Sequence, residues 1–258
     1  LAIGKDLIKK DFEVIFFYLN KFADETKYKN FHSIPIDINS FSKIIKLLKE
    51  NKIDEIILAG GVIRPSIKDI KFDIYTMSLI KNFLLESKGD DNLLKSIENV
   101  FLKNGFPLFD WKKECTDLFT IDSNLITKKP SKNAILNKNK GLEVFKFTGR
   151  ADIGQSLIIQ NQLILGVECI EGTNELIKRT SAYKKEGDKG ILVKLSKYNQ
   201  HNKLDIPTIG IETLKLLKKY NFEGIFVEKN NCIILDKKLI IEFCNDNNLF
   251  LNTVDKFV

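Results

Sequence analysis

EVIFFYL at 13–19, NSFSKIIKLLKE at 39–50 and EIILAGG at 55–61 decide the fold. The first and third are short apolar runs bounded by charge, the signature of strands buried on both faces of a parallel sheet. Between them Phe41, Ile44, Ile45, Leu47 and Leu48 fall on one helical face, with Asn39 or Ser40 as cap. Strand, helix, strand, glycines is the α/β alternation of a parallel sheet, so 13–19 and 55–59 are expected to be neighbours joined by a right-handed crossover.

Working outward, amphipathic helices are expected at 76–87 and 91–104, the second stopped by Gly105, and a short strand at 106–110. The stretch TKKPSKNAILNKNKG at 127–141 is poor in apolar residues, and 129–141 is read as a linker between a domain at 1–128 and one at 142–258. The second half mixes strands and helices. Residues 156–159 and 163–167 flank Gln160-Asn161-Gln162 as a hairpin. Residues 172–180 and 211–220 are read as helical and 190–195 as a strand. A second hairpin is expected from 224–227 with 232–235, and 237–245 closes as a helix. The fold class is therefore α/β: a Rossmann-like N-terminal parallel-sheet domain followed by a smaller mixed α+β domain.

A chain of 258 residues with 43% hydrophobic and 29% charged residues buries roughly three-quarters of its extended surface, which excludes disorder and coiled coil. Cys115, Cys169, Cys232 and Cys244 contain no C-x-x-C pair, and His32 and His201 are too few for a histidine metal site. No uncharged stretch is long enough to span a membrane, and no signal peptide is visible; a reducing cytoplasm is expected. The net charge of +7 suits an anionic partner, but all except three of the 41 basic residues are Lys, spread evenly like a solvated surface. Arg64, Arg150 and Arg179 sit beside Gly, Pro or Thr. Each is either a bidentate fork for phosphate or one half of a structural ion pair. Nucleic acid is disfavoured, since no recognition-helix or RNP-type motif occurs.

Five strings, GRADIGQ and VECIEGT read as one pair, carry candidate chemistry; the plainer reading of that pair is turn glycines with rim charges. AGGVIRP at 59–65 places Gly60, Gly61 and Arg64 at a strand's carboxyl end, where backbone N–H groups can approach a phosphate; a tight turn explains it equally. KGDD at 88–91 carries Gly89, Asp90 and Asp91 as substrate-binding candidates: the adjacent aspartates can hold a cation, or Gly89 is a C′ glycine and Asp91 a helix cap. GRADIGQ at 149–155 and VECIEGT at 167–173 lie on either side of the first hairpin. Arg150, Asp152, Gln155, Glu168, Glu171 and Thr173 should therefore converge at one sheet edge. LDIPTIG at 204–210 carries Asp205 in a Pro-stiffened apolar loop, a setting for a metal-bound carboxylate or for an Asx-turn.

Taken in order, AGGVIRP, KGDD, GRADIGQ, VECIEGT and LDIPTIG with a following Thr213 resemble the blocks of the LpxI-type UDP-2,3-diacylglucosamine pyrophosphatases, a group of lipid A biosynthesis in Gram-negative bacteria. The match runs along the whole chain. The family begins with a strand and a Gly-rich turn, whereas this chain starts in the helix that should follow them. The resemblance implies two domains with the active site in the cleft between them. It also implies hydrolysis of UDP-2,3-diacylglucosamine to UMP and 2,3-diacylglucosamine 1-phosphate (lipid X) with Mg²⁺. Asp205 corresponds to the acid expected to be essential. Gly60, Gly61, Arg64 and Asp90 are then expected to face the same cleft as Arg150, Asp152, Glu171 and Asp205.

Pyrophosphate hydrolysis needs a hard cation, a positioned water and donors for the developing charge. Mg²⁺ takes only one or two protein carboxylates, so among Asp205, Glu168, Glu171 and Asp152 not all can be ligands; Asp205 comes first and Glu168 second. Arg150 and Arg64 are candidate phosphate forks, and Thr173 and Thr208 candidate hydroxyl donors. Expected partners are the UDP-lipid and lipid X, with peripheral contact at the cytoplasmic face of the inner membrane and a homodimer both left open. The competing reading is a non-catalytic Rossmann-like module that binds a nucleotide or lipid. A divalent-metal requirement and release of UMP separate the two.

Overall fold

The computed structural model describes residues 1–20, 22–37, 40–60, 90–151, 153–197 and 206–256, with no account of the side chains of 90–93. The chain forms two compact units that divide between Cys115 and Thr116.

In the first unit, α1 (Ala2–Ile8) precedes β1 (Phe16–Leu19) and β2 (Ser33–Ile36). These two strands pair in parallel, Phe16 opposite Ser33 and Leu19 opposite Ile36. The described partner of β1 is thus β2, not 55–59. The sequence hid β2 because SIPI is four residues long and contains Pro35, a residue confined to strand edges. Residues 55–59 contribute only a parallel bridge, Ile56 to Leu108, so the short strand expected at 106–110 is likewise reduced to that bridge. Helix α2 (Phe41–Glu50) buries Phe41, Ile44, Ile45 and Leu48, the face read from its spacing. Helix α3 (Asp90–Lys103) holds Asp91 in its first turn rather than at a cap. Gly105, at φ +90°, terminates it: Phe106 N–H returns to Phe101 O at 3.0 Å and Gly105 N–H to Leu102 O at 3.0 Å. Val100, Phe101, Phe106 and Leu108 join the α2 residues and Ile56 in one core. The short helix α4 (Trp111–Glu114) follows. The helix expected at 76–87 lies outside the described residues.

The first α-helix of the second unit is α5 (Lys132–Thr148), so most of the stretch read as a linker is the first part of a helix. Ser131 caps it, accepting from Ala134 N–H at 3.1 Å, and the buried Glu223 carboxylate accepts from Ser131 N–H and O–H, both at 2.7 Å. Its buried positions are Ala134, Asn137, Gly141 and Phe145. Only Phe145 of the four is a large apolar group, which is why the amphipathic pattern was invisible. A Cβ at Gly141 would lie 3.1 Å from Ile159 Cδ1, so this glycine lets the helix press onto a sheet.

That sheet contains β3 (Ser156–Gln160), β4 (Leu163–Val167), β5 (Ile191–Lys194), β7 (Gly224–Glu228) and β9 (Phe250–Val254), in the order β4-β3-β5-β7-β9. Strand β3 is antiparallel to both β4 and β5, while β5, β7 and β9 are parallel. The strands alternate between two apolar faces. Leu157, Ile159, Ile191, Val193 and Phe226 meet Phe145 and Ala134 of α5. Ile158, Leu192, Ile225 and Val227 meet the other layer. That layer consists of α6 (Thr173–Ser181), α7 (Ile211–Lys219) and α8 (Lys237–Asn247), which contribute Leu176, Leu214, Leu217, Ile240 and Cys244.

The β3–β4 hairpin is as expected, its two turn residues Asn161 and Gln162 both at positive φ (52° and 59°), the backbone of a type I′ turn. Asp188 ties it down, accepting from Asn137 Nδ2 at 3.0 Å, Asn161 N–H at 2.9 Å and Gly190 N–H at 2.7 Å. The second expected hairpin does not form. Strand β7 enters the main sheet, and β8 (Ile233–Ile234) pairs in parallel with β6 (Thr208–Ile209). Nor does α8 end the fold, since β9 follows it.

Candidate active site

The carboxyl ends of β5, β7 and β9 point to one edge of the second sheet, the edge at which open α/β sheets bind ligands. Antiparallel β3 begins there and β4 ends there, so the hairpin delivers GRADIGQ and VECIEGT to the same place. Contact between them is close. A Cβ at Gly154 would fall on the carbonyl oxygen of Glu168, and Glu168 N–H donates to Ser156 O at 2.8 Å.

A buried polar cluster occupies this edge. Glu168 Oε1 accepts the Thr173 hydroxyl proton at 2.8 Å, and the Lys194 ammonium donates to Thr173 Oγ1 at 2.7 Å and to Ser156 Oγ at 3.3 Å. Because the Thr173 proton is committed to Glu168, the Ser156 hydroxyl is the donor across the 3.4 Å contact between the two oxygens. Lys194 Nζ also stands 3.8 Å from Glu168 Oε2, and that oxygen is buried without a hydrogen-bond partner among the described residues. Lys194 is 4% and Glu168 9% exposed. Thr173 is the first residue of α6; Gly172 at φ +80° precedes it, and no side chain caps the helix. An ammonium beside an uncapped helix N terminus suits an anion.

One strand along, Glu228 closes β7. Its Oε2 accepts Ser196 N–H at 2.6 Å and Ser196 O–H at 2.7 Å, while Oε1 accepts Asn231 Nδ2 at 2.6 Å. Lys256 donates to Ser196 Oγ at 3.0 Å, and half-burial draws its ammonium below the usual lysine range against the opposing pull of Glu228. Burial pushes the Cys232 thiol up to about 12, with Lys194 and Glu228 as its charged neighbours.

The other residues singled out from sequence divide as follows. Glu171 pairs with Arg179, which donates to Glu171 Oε1 from Nε at 3.0 Å and from Nη2 at 2.8 Å, and to Val167 O at 2.7 Å. Burial acts to raise the Glu171 carboxyl, but backbone hydrogen bonds and the guanidinium hold it below the usual range. Arg179 is therefore the structural half of an ion pair in the last turn of α6, not a phosphate fork. Thr173 spends its proton inside the protein, so it is not a free donor. Thr208 is exposed at the start of β6 and donates to Ile206 O at 3.1 Å. Gln155 precedes β3, its carbonyl accepting Leu195 N–H at 2.8 Å. Arg150 is exposed just beyond α5, and Gly60 has φ +110° in the first unit. Asp90 and Asp91 lie in α3. Gly61, Arg64, Gly89, Asp152 and Asp205 lie outside the described residues.

Among the described residues no group of three or more His, Cys, Asp or Glu could hold a metal ion. Glu168, the second candidate ligand, already has an ammonium as counter-charge.

Residues 1–118 match the family model of the LpxI N-terminal domain and residues 122–252 that of the LpxI C-terminal domain. The chain belongs to the LpxI family. Its two family domains meet where the two compact units divide. A curated LpxI relative, the UDP-2,3-diacylglucosamine pyrophosphatase LpxI of Caulobacter vibrioides, is 29% identical over 245 residues, covering 92% of this chain and 87% of the relative. In this LpxI-family chain, sequence reasoning missed Lys194, Ser156, Ser196 and Glu228. The signal was present: ILVK and GIFVE each end a wholly buried strand on a charge. A charge that closes a strand with no exposed residue must either be paired or serve a site. No helix among the described residues is long and apolar enough to cross a membrane.

Proposed function

We propose that this protein hydrolyses the pyrophosphate of UDP-2,3-diacylglucosamine to UMP and 2,3-diacylglucosamine 1-phosphate in lipid A biosynthesis. The observation that carries the reading is the buried Glu168–Thr173–Lys194 cluster at the carboxyl edge of the parallel sheet, whose Glu168 and Thr173 come from one of the five family blocks. The named activity of the Caulobacter relative supports the substrate. The uncapped start of α6 supplies positive potential for a pyrophosphate oxygen, and the leaving phosphate needs little help from an acid. Phe147 at the end of α5 and Ile153 and Ile170 on the two loops are 72%, 43% and 86% exposed, apolar material suited to acyl chains. Mg²⁺ is the proposed cofactor and Asp205 its proposed ligand; a bound Mg²⁺ would neutralise charge on the pyrophosphate oxygens.

The test is UMP release from the purified lipid nucleotide, with and without Mg²⁺, for the native chain and for Asp205→Asn. Loss of a charge contact made only in the transition state, about 3–4 kcal/mol, slows turnover by on the order of a few hundred-fold or more. A variant that melts earlier yet keeps its turnover would return Asp205 to an Asx-turn. A native chain that binds the substrate and releases no UMP would make the protein a binding module.

A further inference from the structure

The Glu168 carboxylate poses a physical problem. It is nine-tenths buried, one oxygen takes the Thr173 proton, and the other has no hydrogen-bond donor among the described residues. Buried carboxylates are compensated by a cation, either a metal ion or a basic side chain. Lys194 is held here by its place in the sheet. It is the last residue of β5, directly opposite Ser156 in the β3–β5 register, and its ammonium is fixed by two hydroxyls besides the carboxylate. A divalent ion bound at about 2.1 Å from Glu168 Oε2 would sit close to an ammonium that is itself 3.8 Å from that oxygen. The repulsion between the two charges opposes such a site.

We infer that Lys194 is a positioning residue of this site: its ammonium, not a metal ion, is the counter-cation of Glu168, and it holds the Glu168 carboxylate and Thr173 hydroxyl in one arrangement at the first turn of α6. The inference rests on the proposed function only for which end of the sheet is active. Ser156 and Thr173 are fixed as acceptors for Lys194, Thr173 is fixed as donor to Glu168, and the free oxygen of Glu168 is left as an acceptor for a neutral N–H or O–H group. The hydroxyl-rich sugar of the substrate and water both offer such donors.

The experiment uses the whole chain as Lys194→Met, Glu168→Gln and the double variant, with three readouts. Thermal melting comes first. Lys194→Met strands a buried carboxylate and lowers the melting temperature by about 10 °C, and adding Glu168→Gln recovers at least about half of that loss. Additive losses overturn the pairing. Second is Mn²⁺ binding followed by electron paramagnetic resonance. Glu168→Gln retains the native affinity within about threefold, whereas a drop of about tenfold or more makes Glu168 a metal ligand and overturns the inference. Third, below the lowered melting temperature, Lys194→Met loses about 100-fold in kcat with KM changed less than about threefold; an unchanged kcat overturns the positioning role. If the native chain releases no UMP, the proposed function fails while melting and Mn²⁺ binding still judge the pair.

Discussion

Removing the Glu228 carboxylate should weaken the second unit in a graded way. The side chain is 5% exposed and accepts three hydrogen bonds, two from Ser196 at 2.6 and 2.7 Å and one from Asn231 at 2.6 Å. Bonds to a charged acceptor contribute about 1.5 kcal/mol each when the donors are half-buried, roughly 4.5 kcal/mol together. Relief of the carboxylate's own burial returns about 1–2 kcal/mol. Glu228→Ala is therefore expected to cost about 3 kcal/mol, or a fall in melting temperature of roughly 6–12 °C at this chain length. Glu228→Gln keeps one acceptor for Ser196, and Asn231 can turn its amide to receive the new N–H group, so about half that cost is expected. Differential scanning calorimetry and urea titration of both variants measure it. A Glu228→Ala protein within about 1 kcal/mol of the native chain, or one more stable than Glu228→Gln, would show that these short contacts contribute little.

Three further outcomes are expected. Gly154→Ala drives a Cβ into the Glu168 carbonyl, where backbone rather than a flexible side chain must yield; a loss of about 3 kcal/mol in urea titration is expected, and a loss below about 1 kcal/mol would contradict the close approach. The Glu171 carboxyl is held below its usual value in the folded chain, so its stabilisation is complete above the unfolded pKa and disappears as pH falls through the folded one. Glu171→Gln should be less stable than the native chain at pH 7, with the gap closing toward acid; a gap constant with pH would exclude the ion pair as its source. Cys169 is exposed, while Cys115, Cys232 and Cys244 are buried with thiols pushed up to about 12 by that burial. A thiol reagent at pH 8 should modify Cys169 alone until the chain is unfolded, and rapid reaction of a second thiol would place another cysteine at the surface.

Residues that act through one face of a regular element were legible in the sequence. The α2 stripe, the β3–β4 hairpin and the convergence of its flanking strings all follow from periodicity or from the turn. Elements whose evidence is spread or short were not. Helix α5 hides behind Asn137 and Gly141, and β2 behind Pro35. Strand β7 was given the wrong partner because two runs separated by a few polar residues look like a hairpin, although a parallel sheet claimed one of them. At the site, acids and glycines in loops drew notice because loops carry chemistry. Lys194 and Glu228 did not, because a charge at the end of an apolar strand reads as the strand's boundary. Only the sheet order places these two strand ends side by side.

The position of β9 at the sheet edge has a consequence for synthesis. Most of the first unit is the N-terminal segment Leu1–Cys115, which can fold while the ribosome is still translating, as domains generally do. The second unit cannot finish that early. Phe250–Val254 covers the free side of β7, and Lys256 then reaches back to Ser196. Until those residues leave the exit tunnel, β7 presents an unpaired, apolar edge to solvent, the kind of template on which nascent chains mispair. A stop codon before position 250 would make that transient state permanent, so such truncations should appear in the insoluble fraction rather than as soluble, inactive protein.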